Sequence, residues 1–133
     1  QGAANALLDQ AWHGLAPGDS VAPEEVDAFE EAVLDRHDLN LRAVGFNYRS
    51  SFFRHIIDGQ YGGTHYSYLW SGVLEASTVA WLEEQGGPTR AAGDRLRHEL
   101  LARGGVVDPI EALTAITGRQ PSVRALLEQR GLV

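Results

Sequence analysis

Apolar positions recur at helical spacing along most of the chain. Ala6, Leu7, Ala11 and Trp12 share one stripe, and Gly14 follows as a stop. Pro23 stands in a first-turn position, and Glu24 and Glu25 favour the positive end of a helix. Val26, Phe29, Val33 and Leu34 form that helix's apolar face, with an end expected near Asp38. From Leu39 to Gly63 the periodicity fails, apart from a short helix around Ser50 to Ile57. It returns with Tyr66, Leu69, Trp70, Val73, Leu74, Ser77, Ala80 and Trp81. These mark one broad face of a long helix closed by Gly86-Gly87, and they put Tyr66 and Trp70 in the expected core. Pro88 opens a further helix with Ala92, Leu96 and Leu100 in line. Asp108-Pro109-Ile110-Glu111 supplies an N-cap, a first-turn proline and an acidic third position. Gly118 ends that helix, Pro121 begins the last one and Gly131 terminates it. No strand pattern and no repeat emerge, so the expected fold class is all-α. The expectation is one helical segment over residues 1–133, interrupted by an irregular Gly/Tyr loop at about 55–65.

Composition narrows the partners. The 133 residues carry 18 acidic side chains against 11 basic ones, for a net charge of −7. Every basic residue is arginine, and no basic face is segregated along the chain, which argues against a nucleic-acid partner. Cysteine is absent, excluding disulfides and thiolate metal sites. The first twenty residues show no signal pattern and the apolar runs are too short to span a bilayer, so the expectation is a cytoplasmic protein without membrane contact. The chain opens on Gln1-Gly2 and contains no methionine, as expected of a piece of a longer product.

Taken alone, these residues assemble no complete active site. No Ser lies in a Gly-x-Ser-x-Gly setting, and a phosphate loop would need the lysine this chain lacks. The histidines stand at 13, 37, 55, 65 and 98, with no pair four apart on a helix for zinc. His13 and His98 read as surface or capping residues. His37 sits near a helix end, where an imidazolium suits the dipole. Glu24-Glu25 and Glu83-Glu84 read as solvated faces.

One stretch stands apart. His55-Ile-Ile-Asp-Gly-Gln-Tyr-Gly-Gly-Thr-His-Tyr-Ser-Tyr-Leu-Trp70 gathers glycines, tyrosines and histidines side by side. It resembles the glycine-tyrosine segment of the zinc oligopeptidases related to thimet oligopeptidase, most closely that of bacterial peptidyl-dipeptidases. Leu8-Asp9-Gln10-Ala11-Trp12-His13, Tyr48 to His55, Trp81 to Arg90, Gly104-Gly105, Asp108-Pro109, Gly118-Arg119-x-Pro121 and Gly131-Leu132 are similar to other stretches of that family, in order over nearly the whole chain.

The resemblance implies the C-terminal part of a larger, all-helical zinc metallopeptidase that hydrolyses short peptides and releases C-terminal dipeptides. It implies that the zinc ligands, an H-E-x-x-H helix and a Glu on the next helix, lie upstream in the same polypeptide and that this part alone is inactive. Attack on a peptide carbonyl develops negative charge on its oxygen, and a preorganised phenol stabilises that charge. By resemblance, Tyr68 is that catalytic donor, His55, Tyr61 and His65 bind substrate, and Gly59, Gly62 and Gly63 let the loop approach the peptide closely. Separated from the upstream part, the apolar helix faces also favour self-association.

Two departures bear on the site. The related enzymes usually have two adjacent glycines before the first loop tyrosine, where this chain has Gly59-Gln60, and commonly a tyrosine where His65 stands. Imidazole still donates a hydrogen bond, but it is shorter and titrates near neutrality. Tyr61 also reads as an ordinary amphipathic loop residue. A second class of function stays open at this point: a non-catalytic all-α interaction module or a degenerate relative.

Overall fold

The computed structural model describes residues 1–41, 43–45 and 48–133. Arg42, Phe46 and Asn47, inside the stretch read as irregular, lie outside the described residues. Every regular element among those described is helical: α1 (Gly2–His13), α2 (Val26–Asp35), α3 (Arg54–Ile57), α4 (Ser67–Glu84), α5 (Arg90–Glu99), α6 (Pro109–Thr117) and α7 (Val123–Gln129). Short 3₁₀ turns occupy Pro23–Glu25, Ser50–Phe52 and Leu101–Val106. The all-α expectation holds. The chain divides into two compact units, Gln1–Leu69 and Trp70–Val133.

The first unit is built on α1 and α2. Ala4, Leu8, Val33 and Leu34 form its buried centre, with Leu7, Ala11, Phe29 and Leu39 packed around them. Leu8 and Leu34 are fully enclosed. Each contributes roughly 1.5–3 kcal/mol through removal of apolar surface from water. Trp12 closes one edge by packing its ring 4.4 Å from Phe29. α2 stops at Asp35, three residues before the expected end. Asp38 adopts a left-handed conformation (φ 55), and the Leu39 N–H returns to the Leu34 carbonyl at 2.9 Å, the six-residue closure that terminates helices.

Buried charge ties the segment after α2 to the helices. Glu30 is fully enclosed. One of its oxygens accepts the Ser50 N–H and the other lies 2.6 Å from Arg49 Nε. The Trp12 indole donates to Ser50 Oγ at 2.7 Å. These bonds set the 3₁₀ turn that delivers Phe53 and Ile56, both buried, into the first unit.

The second unit packs two small clusters along α4. Val73 and Ala76 meet Leu126 of α7, and Trp81 meets Ala92 of α5 and Ile116 of α6. Asp108 caps α6 as expected, its Oδ1 accepting the N–H groups of Ile110 at 2.8 Å and Glu111 at 3.2 Å. The other two starts differ from the sequence reading. Thr89 caps α5 and Ser122 caps α7, and Pro88 and Pro121 stand one residue ahead of the caps. A hydroxyl able to take a free helix N–H outcompetes a proline's preset φ for the boundary.

A further correction concerns α4. Tyr66 and Trp70, expected in the core, are 55% and 46% exposed. The helical phase was right, since Val73, Ser77 and Trp81 are buried. Periodicity identifies an apolar face but not how far along the helix other elements cover it. No helix is long and apolar enough to cross a membrane among the described residues.

Candidate functional site

Residues 58–66 form a run of turns joining α3 to α4, within the first unit. α3 ends where the His55 carbonyl meets Gly59. A Cβ on residue 59 would collide with that carbonyl, so the reversal requires glycine there. Gly63 has φ 71, the left-handed region that side chains resist. The loop brings six rings into one connected group.

Tyr48 stacks on Phe53 at 5.0 Å between centroids, and Phe53 meets the edge of His65 at 4.9 Å. His65 lies 4.9 Å from Tyr68, Tyr68 5.5 Å from Tyr61, and Tyr61 5.6 Å from His55. A 6.5 Å approach of His55 to His65 closes the circuit. Thus four side chains singled out in the sequence, His55, Tyr61, His65 and Tyr68, converge, although they come from α3, the loop and the first turn of α4.

They do not stand equally. Tyr61 and Tyr68 are 40% and 50% exposed and His55 is also open to solvent, whereas His65 is 8% exposed and underlies them. Arg54, His55, Asp58, Gly59, Gln60 and Tyr61 line an open concavity of about 370 Å³ beside the circuit. Arg54 and Asp58 pair across one helical turn at its rim, 3.2 Å apart.

Environment tunes two of the rings. The Tyr68 phenol is held above its ordinary pKa, first by hydrogen bonding with Tyr61, then by desolvation and by the neighbouring Tyr61 and Tyr48. Like any phenol it is protonated, a donor, at neutral pH, and the shift moves it further from ionisation. Burial pushes the His65 imidazole below its ordinary value; Asp9 opposes that shift and His55 adds to it. The ring is thereby favoured in its neutral form, and its Nδ1 has no hydrogen-bond partner among the described residues.

The sequence reading gave no role to what holds the loop. Asp9 of α1 is fully buried, and its two oxygens accept the N–H groups of Gly63 and His65, each at 2.8 Å. Gln10 donates to the Gly63 carbonyl at 2.6 Å. His13 Nδ1 lies 2.9 Å from both Asp9 Oδ1 and the Asp9 carbonyl, and its Nε2 fills the space where a Cβ on Gly62 would lie. Leu8 to His13 is one of the stretches that resemble the zinc oligopeptidases. Its contact with residues more than fifty positions away leaves no trace in spacing.

Among the described residues, no group of three or more His, Cys, Asp or Glu side chains could hold a metal ion. These residues do not make a zinc site by themselves. What they offer is hydrogen-bond donors on aromatic rings beside a glycine-rich backbone.

The model for peptidase family M3 matches residues 3–132. The chain belongs to that family. Among curated relatives, it is 42% identical over 127 residues to the dipeptidyl carboxypeptidase of Salmonella typhimurium and 38% identical over 127 residues to that of Escherichia coli. Each alignment covers 96% of this chain and 18% of the relative. Oligopeptidase A of Salmonella typhimurium is 39% identical over 80 residues, 60% of this chain and 12% of that protein. The chain thus spans less than a fifth of the length of these M3 relatives, and the likeness to the dipeptidyl carboxypeptidases extends over more of it than the likeness to oligopeptidase A.

Proposed function

We propose that this chain forms the substrate-facing wall of the cleft in a larger M3 peptidase, a zinc enzyme that hydrolyses short peptides and releases dipeptides from their C-termini. The metal is expected on ligands in the upstream part of the same polypeptide, where it would supply the activation of the attacking water. This chain's contribution is hydrogen bonding and orientation. Tyr68 donates its hydroxyl to the carbonyl oxygen as negative charge develops there, being a phenol that is protonated at neutral pH. His55 and Tyr61 bond the substrate backbone from the loop side. Gly59, Gly62 and Gly63 let the loop turn tightly against the His55 carbonyl and the His13 ring, which sets the backbone that an extended peptide would approach. His65 contributes from beneath by fixing the Tyr68 ring.

The observation that carries the reading is the exposed trio His55, Tyr61 and Tyr68, whose rings stand 5.5–5.6 Å from one neighbour to the next on one patch. Exposed aromatic donors in such a group gain little for folding. Binding gives them a purpose. The longer alignment with dipeptidyl carboxypeptidases supports the dipeptide-releasing form of the activity.

The test uses the full-length protein loaded with zinc. It is incubated with an unblocked peptide of eight to ten residues, and with the same peptide carrying a C-terminal amide, and the products are read by mass spectrometry. Successive loss of C-terminal dipeptides from the free acid, suppressed by the amide and by chelation, is the expected result. Internal cleavage of both peptides would refute the dipeptide-releasing form, and no cleavage would refute peptidase activity.

A further inference from the structure

We infer that Asp9 is the positioning residue of this site, setting the place of Tyr68 through the backbone of the glycine loop. A carboxylate removed from water is tolerated only where hydrogen bonds or charges replace its hydration. Asp9 is fully enclosed, and what replaces its hydration is the loop itself: Gly63 N–H on one oxygen, His65 N–H on the other, both at 2.8 Å. The His13 imidazole reaches the first oxygen at 2.9 Å.

The grip is two-sided. Gln10, the next residue of α1, takes the Gly63 carbonyl at 2.6 Å, so the N–H and the C=O of one glycine are both held by α1 side chains. His13 blocks the space beside Gly62. One turn of α1 therefore fixes residues 62–65 of a loop that has no regular structure to hold it. From there the constraint passes to rings. His65 is wedged between Phe53 and Tyr68, with both centroids 4.9 Å away, and Tyr68 faces Tyr61 at 5.5 Å. A shift of the His65 backbone cannot leave Tyr68 where it was.

The chemistry requires aspartate and not its isostere. Two N–H donors converge on two oxygens. Asparagine would turn an NH₂ toward one of those donors, breaking one bond of the pair while keeping the side chain's shape. Asp9→Asn is therefore a selective release of the loop.

The kinetic part of this inference rests on the peptidase reading, so the experiment on the full-length zinc enzyme has two readouts. Hydrogen–deuterium exchange over the segment 58–66 should accelerate about tenfold or more in Asp9→Asn, with helix exchange elsewhere unchanged. Its kcat should fall by one to two orders of magnitude with KM moved only a few fold, the loss expected when a reacting group is misplaced by about 1 Å. In the double variant with Tyr68→Phe, kcat should be no more than a few fold below that of Tyr68→Phe alone, because both changes act on the same hydroxyl. Losses that multiply would overturn the inference, as would unchanged exchange at 58–66. Should Tyr68→Phe alone keep full activity, the peptidase role of Tyr68 is what fails. The hold of Asp9 on the loop is then decided by exchange. If Asp9→Asn does not fold, Gln10→Ala, which releases only the carbonyl side, should still accelerate exchange over 58–66, and no acceleration would count against the inference.

Discussion

The rings of Tyr61 and Tyr68 lie 5.5 Å apart, one on the glycine loop and the other on the first turn of α4. That pairing joins a donor on a turn-built segment to one on a regular helix. Tyr61 is also the leading cause of the raised pKa of the Tyr68 phenol. The site is therefore more than a set of familiar residues: its members alter one another's chemistry.

His65 gives this arrangement a pH signature. Its folded-state pKa is lowered, chiefly by burial, so the folded protein binds a proton there less readily than the unfolded chain. The neutral ring's contribution to stability is complete above the unfolded value, about 6.5. It is lost as pH falls from there through the folded value. The melting temperature should drop between pH 7 and pH 5, and the drop should be smaller in His65→Tyr, whose phenol does not titrate in that window. Equal slopes for the two proteins would show that His65 is not the group responsible.

The glycine loop can be tested by adding single methyl groups. A Cβ on residue 62 would lie 2.8 Å from His13 Nε2 and 3.2 Å from the Ile56 carbonyl, whereas one on residue 93 meets nothing within 4 Å among the described residues. Gly62→Ala should cost about 1–3 kcal/mol by overpacking, measured by urea unfolding, and should lower kcat/KM in the full-length protein. Gly93→Ala, in α5 and outside the loop, should show neither loss. A Gly62→Ala variant of unchanged stability would mean that His13 yields freely and does not brace the loop.

Much of the second unit was legible in the sequence because its signals are local. Asp108-Pro109-Ile110-Glu111 encodes a helix start within four residues, and the structure contains that cap. Gly86 and Gly131 mark helix ends because their φ values, 81 and 66, suit glycine. The convergence of His55, Tyr61, His65 and Tyr68 was foreseeable because all four lie within fourteen consecutive residues of one quoted stretch. What escaped was set by distant partners. Asp9 and Glu30 look like surface acids on amphipathic helices, and it is the loop N–H groups and His13 around Asp9, and Arg49 and the Ser50 N–H around Glu30, that explain why they are buried. Tyr66 and Trp70 failed in the opposite sense, because an apolar stripe says nothing about what covers it.

Capping supplies a stability prediction independent of the site. Asp108 takes two helix N–H groups of α6 with one exposed carboxylate oxygen. Asp108→Ala should destabilise by about 1 kcal/mol, and Asp108→Ser should recover most of the loss. Denaturant midpoints at constant slope would measure both. An alanine variant as stable as the parent would show that water caps the helix equally well.

The central claim, that the Tyr68 hydroxyl serves the reacting carbonyl, is tested most directly by steady-state kinetics of Tyr68→Phe in the full-length, zinc-loaded protein. Tyr66→Phe, on a ring outside the connected group, is the control. The expected result is a kcat lower by about two to three orders of magnitude, the loss typical of one oxyanion donor, with KM changed little and the control within a few fold of the parent. A Tyr68→Phe enzyme that is folded, zinc-loaded and near normal in kcat would contradict the claim, as would a Tyr66→Phe enzyme that loses as much.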